Sequence, residues 1–352
     1  MFLRSLMNIS AELVENTLIV KKPKDVGRLF TKSHFGKTLP GNILQLDLLE
    51  GIFLLGEGKI TVFHKKKKVD FQQLFKRATK EIPAFEIKYL IFKDLRKRGH
   101  HVQLFKGEMN THFIIDNKKE QHFVTAFSER DVLNIDETRH LIQNVKKKKG
   151  ELWFAIVDEE GDLTYYTVDL IIPKGNIREH KFSKGTGILL KNRIVLFDEK
   201  LAKNLHEKEF FGKPLGQGLQ LSLVEAAYLS ERKTLNIQIN ADKKLSHGDF
   251  LKHISTLQPD IQKRLTVFND LKKRGLLVKT GFKFGSHFRA YTKHQDETHA
   301  EYLIHVVEKG FKSAWAEISR AVRLAHSVNK EILFARVDGK NIDYIKFGRL
   351  RP

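Results

Sequence analysis

The chain has 352 residues, with 41% hydrophobic residues, 63 Lys and Arg against 42 Asp and Glu, a formal net charge of +21, and no cysteine. That apolar share argues against wholesale disorder, the length suits two or three domains of roughly 100–200 residues, and the missing cysteines exclude disulfides, thiolate metal sites and a cysteine nucleophile. The charge points to a polyanionic partner, most simply nucleic acid, with a lysine-rich solvated surface as the plainer alternative.

A short strand is predicted at Thr17–Val20, leading to a turn at Phe35-Gly36-Lys37 and an apolar-periodic segment ending near Leu55. Residues 63–70, with Lys65, Lys66, Lys67 and Lys68, read as a basic linker. A helix follows and closes at Gly99; Arg96, Lys97 and Arg98 suit its negative end and the glycine suits a left-handed cap. Strands around one helix lead to an acidic tip of Asp158, Glu159, Glu160 and Asp162, and residues 173–178 are turn-rich and polar.

The same order then returns. A strand at 193–197 leads to Phe211-Gly212-Lys213, an apolar segment ending near Leu229, a basic linker with Asp242, Lys243 and Lys244, and a helix closing at Gly275. Phe288 and Ala290 alternate with His287, Arg289 and Tyr291, and 302–307 is a second strand. Ile318, Ala321, Val322, Ala325 and Val328 give an amphipathic helix over 313–328, and 331–337 is a buried strand.

The recurrence has a fixed displacement of 176 positions: Phe35 returns at Phe211, and Phe92-Lys93-Asp94-Leu95-Arg96-Lys97-Arg98-Gly99 returns as Phe268-Asn269-Asp270-Leu271-Lys272-Lys273-Arg274-Gly275. Self-similarity at one period marks a duplicated structural unit. The expected fold is α/β (α+β), in two tandem repeats, each a small N-terminal α/β subdomain followed by a C-terminal mixed-sheet subdomain. The expected boundaries are 1–172 for the first copy, 173–180 for a linker and 181–352 for the second. No apolar run approaches the ~18–20 residues of a membrane span and residues 1–8 are short for a signal peptide, so a cytoplasmic protein without a membrane partner is expected.

Comparing the copies separates scaffold from chemistry. Aligning His112-Phe113 with His287-Phe288 sets Asp116 opposite Tyr291, and aligning Trp153-Phe154-Ala155 with Leu333-Phe334-Ala335 sets Gly150 opposite Lys330. His299 faces no histidine, since His122 aligns with Tyr302. A phenol, an imidazole and an ammonium suit RNA cleavage by its own 2′-hydroxyl: a base for that proton, an acid for the departing 5′-oxygen, and positive charge for the crowded phosphorus. Taken singly, each has a plainer reading as a strand tyrosine, a loop histidine and a surface lysine.

The runs Phe282-Lys283-Phe284-Gly285-Ser286-His287-Phe288-Arg289-Ala290-Tyr291, His299-Ala300-Glu301-Tyr302 and Lys330-Glu331-Ile332-Leu333-Phe334-Ala335 resemble the tRNA-splicing endonucleases of archaea, and the resemblance covers nearly the whole chain. It implies a homodimer of two fused copies per chain, with a nuclease-like C-terminal subdomain in each. It also implies Tyr291, His299 and Lys330 as catalytic residues, with His294 a rival acid, and a substrate of precursor tRNA cut at bulge-helix-bulge sites without metal or cofactor. Arg323 with Arg349 or Arg351 resembles the family's pair of arginines that clamp a bulged base. Asp158, Glu159, Glu160 and Asp162 resemble its dimer docking loop, which enters a basic pocket on the partner's catalytic half. The first copy is then catalytically silent and structural.

Asp70 with Glu86 and Lys88 loosely matches a metal-dependent nuclease motif, His100 and His101 read as strand neighbours pointing apart, and the lysines at 146–149 read as a solvated loop. A non-catalytic RNA-binding scaffold and a metal-dependent nuclease are the alternative functions.

Overall fold

The computed structural model of the chain describes residues 9–107, 109–116, 120–239, 243–294 and 299–352. Residues 1–8 and Asp242, both read above, lie outside the described residues. The fold is mixed α/β and divides into two units: Met1–Asp131, Gln143–Thr167 and Leu350–Pro352 in one, Val132–Ile142 and Val168–Arg349 in the other.

The first unit opens with β1 (Ile9–Val14), β2 (Thr17–Val20), α1 (Pro23–Val26), β3 (Lys37–Leu39) and β4 (Ile43–Asp47). It continues with α2 (Leu48–Gly56), β5 (Ile60–His64), β6 (Lys67–Val69), α3 (Phe71–Glu81) and α4 (Phe85–Lys97). The strands form one sheet in the order β3-β4-β2-β1-β5-β6, parallel only at β1/β5. After it come β7 (Val102–Leu104), β8 (Phe113–Asp116), β9 (Gln121–Ser128), β10 (Val132–Asn134), α5 (Ile135–Lys147), β11 (Glu151–Val157) and β12 (Leu163–Ile171). Strands β7-β8-β9-β11 lie side by side with β12, which belongs to this unit as far as Thr167.

The second unit repeats the plan. Its first sheet uses β13 (Gly185–Leu190), β14 (Arg193–Leu196), β15 (Lys213–Leu215), β16 (Gly218–Leu221), β17 (Leu235–Ile239) and β18 (Lys243–Leu245), with α6 (Glu199–Glu209), α7 (Leu223–Glu231), α8 (His247–Leu257) and α9 (Ile261–Lys273) between and after them. The order β15-β16-β14-β13-β17-β18 reproduces the first unit's sheet strand for strand, parallel at β13/β17. Then come β19 (Leu277–Thr280), β20 (Phe288–Tyr291), β21 (Tyr302–Glu308), β22 (Lys312–Ala314), α10 (Trp315–Ser327), β23 (Glu331–Asp338) and β24 (Asn341–Leu350). These pair in the order β19-β20-β21-β23-β24, parallel only at β21/β23. Each unit has its own apolar core, one running from Ile9 to Tyr165 in sequence and the other from Leu189 to Tyr344.

The repeated motifs turn out to bind one another. Gly36 and Gly212 sit at φ +72° and +60°, and an added Cβ would stand 2.6 Å from the carbonyl of Gln45 or Gln220, so only glycine fits. Their N–H groups donate to Glu50 at 2.7 Å and Glu225 at 2.9 Å. Those glutamates also close the capping boxes of α2 and α7, opposite Asp47 and Ser222. The repeated Asp94 and Asp270 each pair with the arginine four residues on, Arg98 and Arg274, and accept a hydrogen bond from Tyr165 at 2.8 Å and Tyr344 at 2.7 Å.

Three local expectations are corrected. Residues 63–70 are a hairpin rather than a linker: Val62 pairs with Val69 across β5/β6, and β17/β18 match it. The lysine run hid the strand alternation. His100 and His101 precede β7 instead of lying on a strand, and His101 stacks on His34 with ring centroids 3.9 Å apart. The helix predicted over 313–328 begins at Trp315, because Lys312–Ala314 pairs with β10. That pairing lies in the second unit, where Asp136 accepts the N–H of Gly310 at 2.8 Å and pairs with the buried guanidinium of Arg336.

Candidate active site

Three strand ends of the second unit meet at one peptide. The N–H of Glu301 donates to the carbonyl of Ala290 at 3.0 Å, and the carbonyl of Glu301 accepts from the N–H of Glu331 at 2.8 Å. Tyr291 follows Ala290 at the end of β20, His299 stands two residues before Glu301, and Lys330 directly precedes Glu331. The sheet therefore brings all three to the same edge, although 31 residues of chain separate His299 from Lys330.

Local packing fixes each side chain differently. Tyr291 is 8% exposed and packs with Leu277 and Ala300, its ring edge-on to Phe210 at 5.8 Å. The guanidinium of Arg289 lies 5.9 Å from its ring centroid, a cation beside a phenol. His299 is exposed, but its neighbour Ala300 is buried in the same cluster and anchors the backbone. Lys330 follows Asn329, whose φ of +53° turns the chain sharply out of α10, and its N–H is held by Ala325 at 2.9 Å. Its ammonium donates to the Val328 carbonyl at 3.3 Å and sits 5.7 Å from the centroid of the Phe284 ring. A cleft of ≈ 500 Å³ opens beside Lys330, lined by Glu301, Tyr302, His326, Asn329, Lys330 and Glu331; Tyr291 and His299 stand outside its lining. Burial, then the Glu301 and Glu331 carboxylates, raise the Tyr302 phenol above its ordinary range.

The rival histidine is committed elsewhere: Nε2 of His294 donates to the Glu207 carbonyl on α6 at 2.8 Å. Among the described residues, His299 has no hydrogen-bond partner. Arg323 is exposed on α10, its Nε 3.4 Å from the Ser319 carbonyl. On β24, Phe347 is opposite Ile332, so continuing the register by two sets the exposed Arg349 opposite Lys330. Arg351 lies beyond the strand, in the first unit.

The acidic tip is a built turn. Asp158 accepts the N–H groups of Glu160 at 3.0 Å and Asp162 at 2.8 Å, and Gly161 has φ +85°. Glu159 pairs with Arg130. Residues at 146–147 end α5 rather than forming a loop. Asp70 caps α3 by accepting the Gln73 N–H at 2.8 Å.

Sequence reasoning missed a basic cleft of ≈ 560 Å³ between the two subdomains of the second unit. Its lining includes Arg193, Lys213, Lys279, Lys283 and Arg289, with Glu225 at its floor. Lys279 is buried, donates to the carbonyls of Phe210 and Gly212 at 2.9 and 2.6 Å, and pairs with Glu225 at 3.2 Å. Burial works against the charge on Glu225, but Lys279, Ser222 and the Gly212 N–H outweigh it and hold its carboxyl below the usual range. The matching cleft of the first unit, ≈ 400 Å³, has Gln103 in place of Lys279 and carries Lys37 and Lys106 against Asp47 and Glu50. There burial and the neighbouring Asp47 push Glu50 up to about 8. A lysine at a strand position aligned with glutamine was the signal available in sequence.

Known families match this layout. The tRNA intron endonuclease N-terminal domain matches twice, at 9–75 and 185–251, and the tRNA intron endonuclease catalytic C-terminal domain matches 261–344. A tRNA-splicing endonuclease of Methanococcoides burtonii is 36% identical over 350 residues, covering 97% of this chain and 99% of that one. One from Methanosarcina barkeri is 31% identical, covering 95% and 97%, and one from Halobacterium salinarum is 28% identical, covering 90% and 93%. Among the described residues no helix is long and apolar enough to cross a membrane. With both domains matched and relatives aligned almost end to end, the chain belongs to the tRNA-splicing endonuclease family and is an endonuclease.

Proposed function

We propose that this chain is a cytoplasmic enzyme that excises introns from precursor tRNA at bulge-helix-bulge sites, leaving a 2′,3′-cyclic phosphate and a 5′-hydroxyl. The observation that carries the reading is the Glu301 peptide, which ties the ends of β20, β21 and β23 together and so gathers Tyr291, His299 and Lys330. In the reaction the Tyr291 phenolate takes the proton of the 2′-hydroxyl as the 2′-oxygen bonds to phosphorus. The P–O5′ bond breaks and the protonated His299 gives its proton to the leaving oxygen. Lys330 faces the charge that accumulates on the non-bridging oxygens. The residues supply both proton transfers and the electrostatic stabilisation.

The register that sets Arg349 opposite Lys330 favours Arg349 over Arg351 as the partner of Arg323 in stacking on a bulged base, a contact indifferent to base identity. Two scissile bulges per intron call for two catalytic halves at fixed spacing, which a twofold dimer supplies. The acidic tip of one chain is complementary to the basic cleft of the other chain's second copy. Glu160 and Asp162 are the carboxylates for that contact, since Asp158 builds the turn and Glu159 is paired.

The test is incubation with intron-bearing precursor tRNA in EDTA, with end-group analysis of the fragments. Cutting with cyclic phosphate ends is expected. Tyr291→Phe, His299→Ala and Lys330→Ala should each slow cleavage by roughly 10²–10⁴-fold while leaving binding intact. Tightly bound but intact RNA would favour a scaffold, and cutting only with added magnesium, leaving 5′-phosphates, a metal-dependent nuclease. Full activity in His299→Ala would move the acid role to another group.

A further inference from the structure

The lysine run read as a linker forms one wall of a groove in the first unit, ≈ 750 Å³, between the β5/β6 hairpin and α3. Lys65, Lys67 and Lys68 line it from the hairpin, and Lys76, Arg77 and Lys80 from one face of α3. Glu81 is the one carboxylate in the lining, and it accepts a hydrogen bond from Asn16 at 2.6 Å. Among the described residues, none of the six cations is ion-paired. Arg77 donates only to Asn16, at 3.1 Å.

The hairpin is built at a cost. Lys65 and Lys66 have φ +47° and +65°, the two left-handed positions of a two-residue turn, where Asn-Gly is the favoured pair. A β-carbon in that region costs on the order of 1–2 kcal/mol per residue. Mutual repulsion of four consecutive lysines adds to it. The fold does not require all of these charges, because the second copy pairs the corresponding strands, β17 with β18, and carries the corresponding helix, α8, with half of them. Its sequence has Asn240, Ala241 and Asp242 between β17 and β18, and His253 and Thr256 stand where α3 has Arg77 and Lys80. Only Lys67, Lys68 and Lys76 recur, as Lys243, Lys244 and Lys252. A denser cluster of unpaired cations on one copy of a duplicated scaffold, with two of its lysines at left-handed φ, marks a function of that copy.

We infer that this groove of the silent copy binds the phosphate backbone of the substrate RNA outside the bulges that are cut. The chemistry that recognises the ligand is plain: unpaired cations on two facing walls, with His64 the one ring in the lining and its Nδ1 held at the Leu13 carbonyl at 3.0 Å, read phosphate and not sequence. The first copy then holds the body of the RNA while the second cuts it. This inference rests on the reading of the substrate as precursor tRNA.

The test is one variant, Lys65→Asn, Lys66→Gly, Arg77→His and Lys80→Thr, which installs the favoured turn and the second copy's helix residues. Its thermal midpoint should equal or exceed that of the wild type. Its affinity for full-length precursor tRNA should fall, with the slope of log K against log salt reduced by about 3 for the three groove cations removed, Lys65, Arg77 and Lys80. The wild-type advantage in affinity should accordingly shrink by roughly 60-fold between 50 and 200 mM KCl. Turnover of a saturating minimal RNA carrying only the helix and two bulges should be unchanged. Equal affinity and equal salt slope on the full precursor would overturn the inference, as would an equal loss on the minimal RNA. Binding and cutting are read separately, so a failure of the cleavage reading shows as uncut RNA, and a failure of the groove as matching salt slopes.

Discussion

Two histidines at equivalent positions should set the acid limit of this protein. His112 and His287 stand just before β8 and β20, and each ring accepts a peptide N–H through Nδ1, from Ala126 at 2.9 Å and from Val306 at 2.8 Å. A ring that accepts at Nδ1 is neutral there, so protonation breaks the bond as well as charging the site. Burial, aided by Lys88 beside His112 and by Arg264 and His305 beside His287, lowers each ring to about 4; Asp131 and Asp260 oppose this weakly. Because the folded values lie below the ordinary 6.5, the unfolded chain binds more protons between those limits. Stability is therefore complete above pH 6.5 and is lost as pH falls toward 4. A drop of that size is worth at most about 3.4 kcal/mol per ring, and with both rings partly exposed about 2 is a fair working figure, or about 4 for the pair. His112→Asn with His287→Asn keeps an acceptor at the reach of Nδ1 and removes the titration. Urea unfolding followed by circular dichroism at pH 7.0 and 4.5 should show the wild type losing about 3 kcal/mol more than the double variant, since the last part of the drop falls below pH 4.5. Parallel pH curves for the two proteins would refute the reasoning.

Two further outcomes follow from the clefts. Lys279→Met leaves Glu225 buried without its partner and should cost roughly 3–5 kcal/mol at pH 8, less in acid where the carboxyl takes up a proton, measured by the same unfolding assay. Glu160→Lys with Asp162→Lys should dissociate the proposed dimer in sedimentation velocity and lower cleavage in step, while Asp158→Lys should also unravel the turn, seen as new proteolysis between β11 and β12.

The duplication and the strand-and-helix order were legible because each copy repeats motifs that hold one another. Phe-Gly-Lys recurs together with Leu46-Asp47-Leu48-Leu49-Glu50 and its counterpart Leu221-Ser222-Leu223-Val224-Glu225, since the glycine N–H needs that glutamate, and Asp94 and Asp270 recur because a tyrosine at the far end of each copy donates to them. The three candidate catalytic residues were legible as a difference between copies. What stayed hidden was whatever charge masked or distance separated. The lysine run at 65–68 concealed a hairpin by overwriting its alternation. The basic cleft draws on residues from Arg193 to Arg289, which no local pattern joins. The pairing of Val132–Asn134 with Lys312–Ala314 links segments about half the chain apart, and nothing in either short run announces the other.

The first copy is more than a second site lacking three side chains, because the matching strand ends are closed by packing. At Gly150, opposite Lys330, a Cβ would stand 2.5 Å from the Phe123 ring and 2.9 Å from the Gln121 carbonyl. Phe123 is held edge-on by Phe105 at 5.5 Å, so the ring has little room to give way. At the position of Tyr291, Asp116 accepts a hydrogen bond from Gln121 at 2.7 Å across the strand pair. His122, opposite Tyr302, stacks on Trp153 at 4.4 Å and lies 3.1 Å from Glu151. Each group that could face a substrate in the first copy instead faces a neighbour. A copy closed in this way is free of the polar, partly open geometry that a catalytic edge must keep, and such geometry costs stability. The two copies thus differ in packing as the proposed division of labour requires: one keeps an open strand edge with an exposed imidazole and a half-buried ammonium, and the other fills the same edge with aromatic and paired side chains.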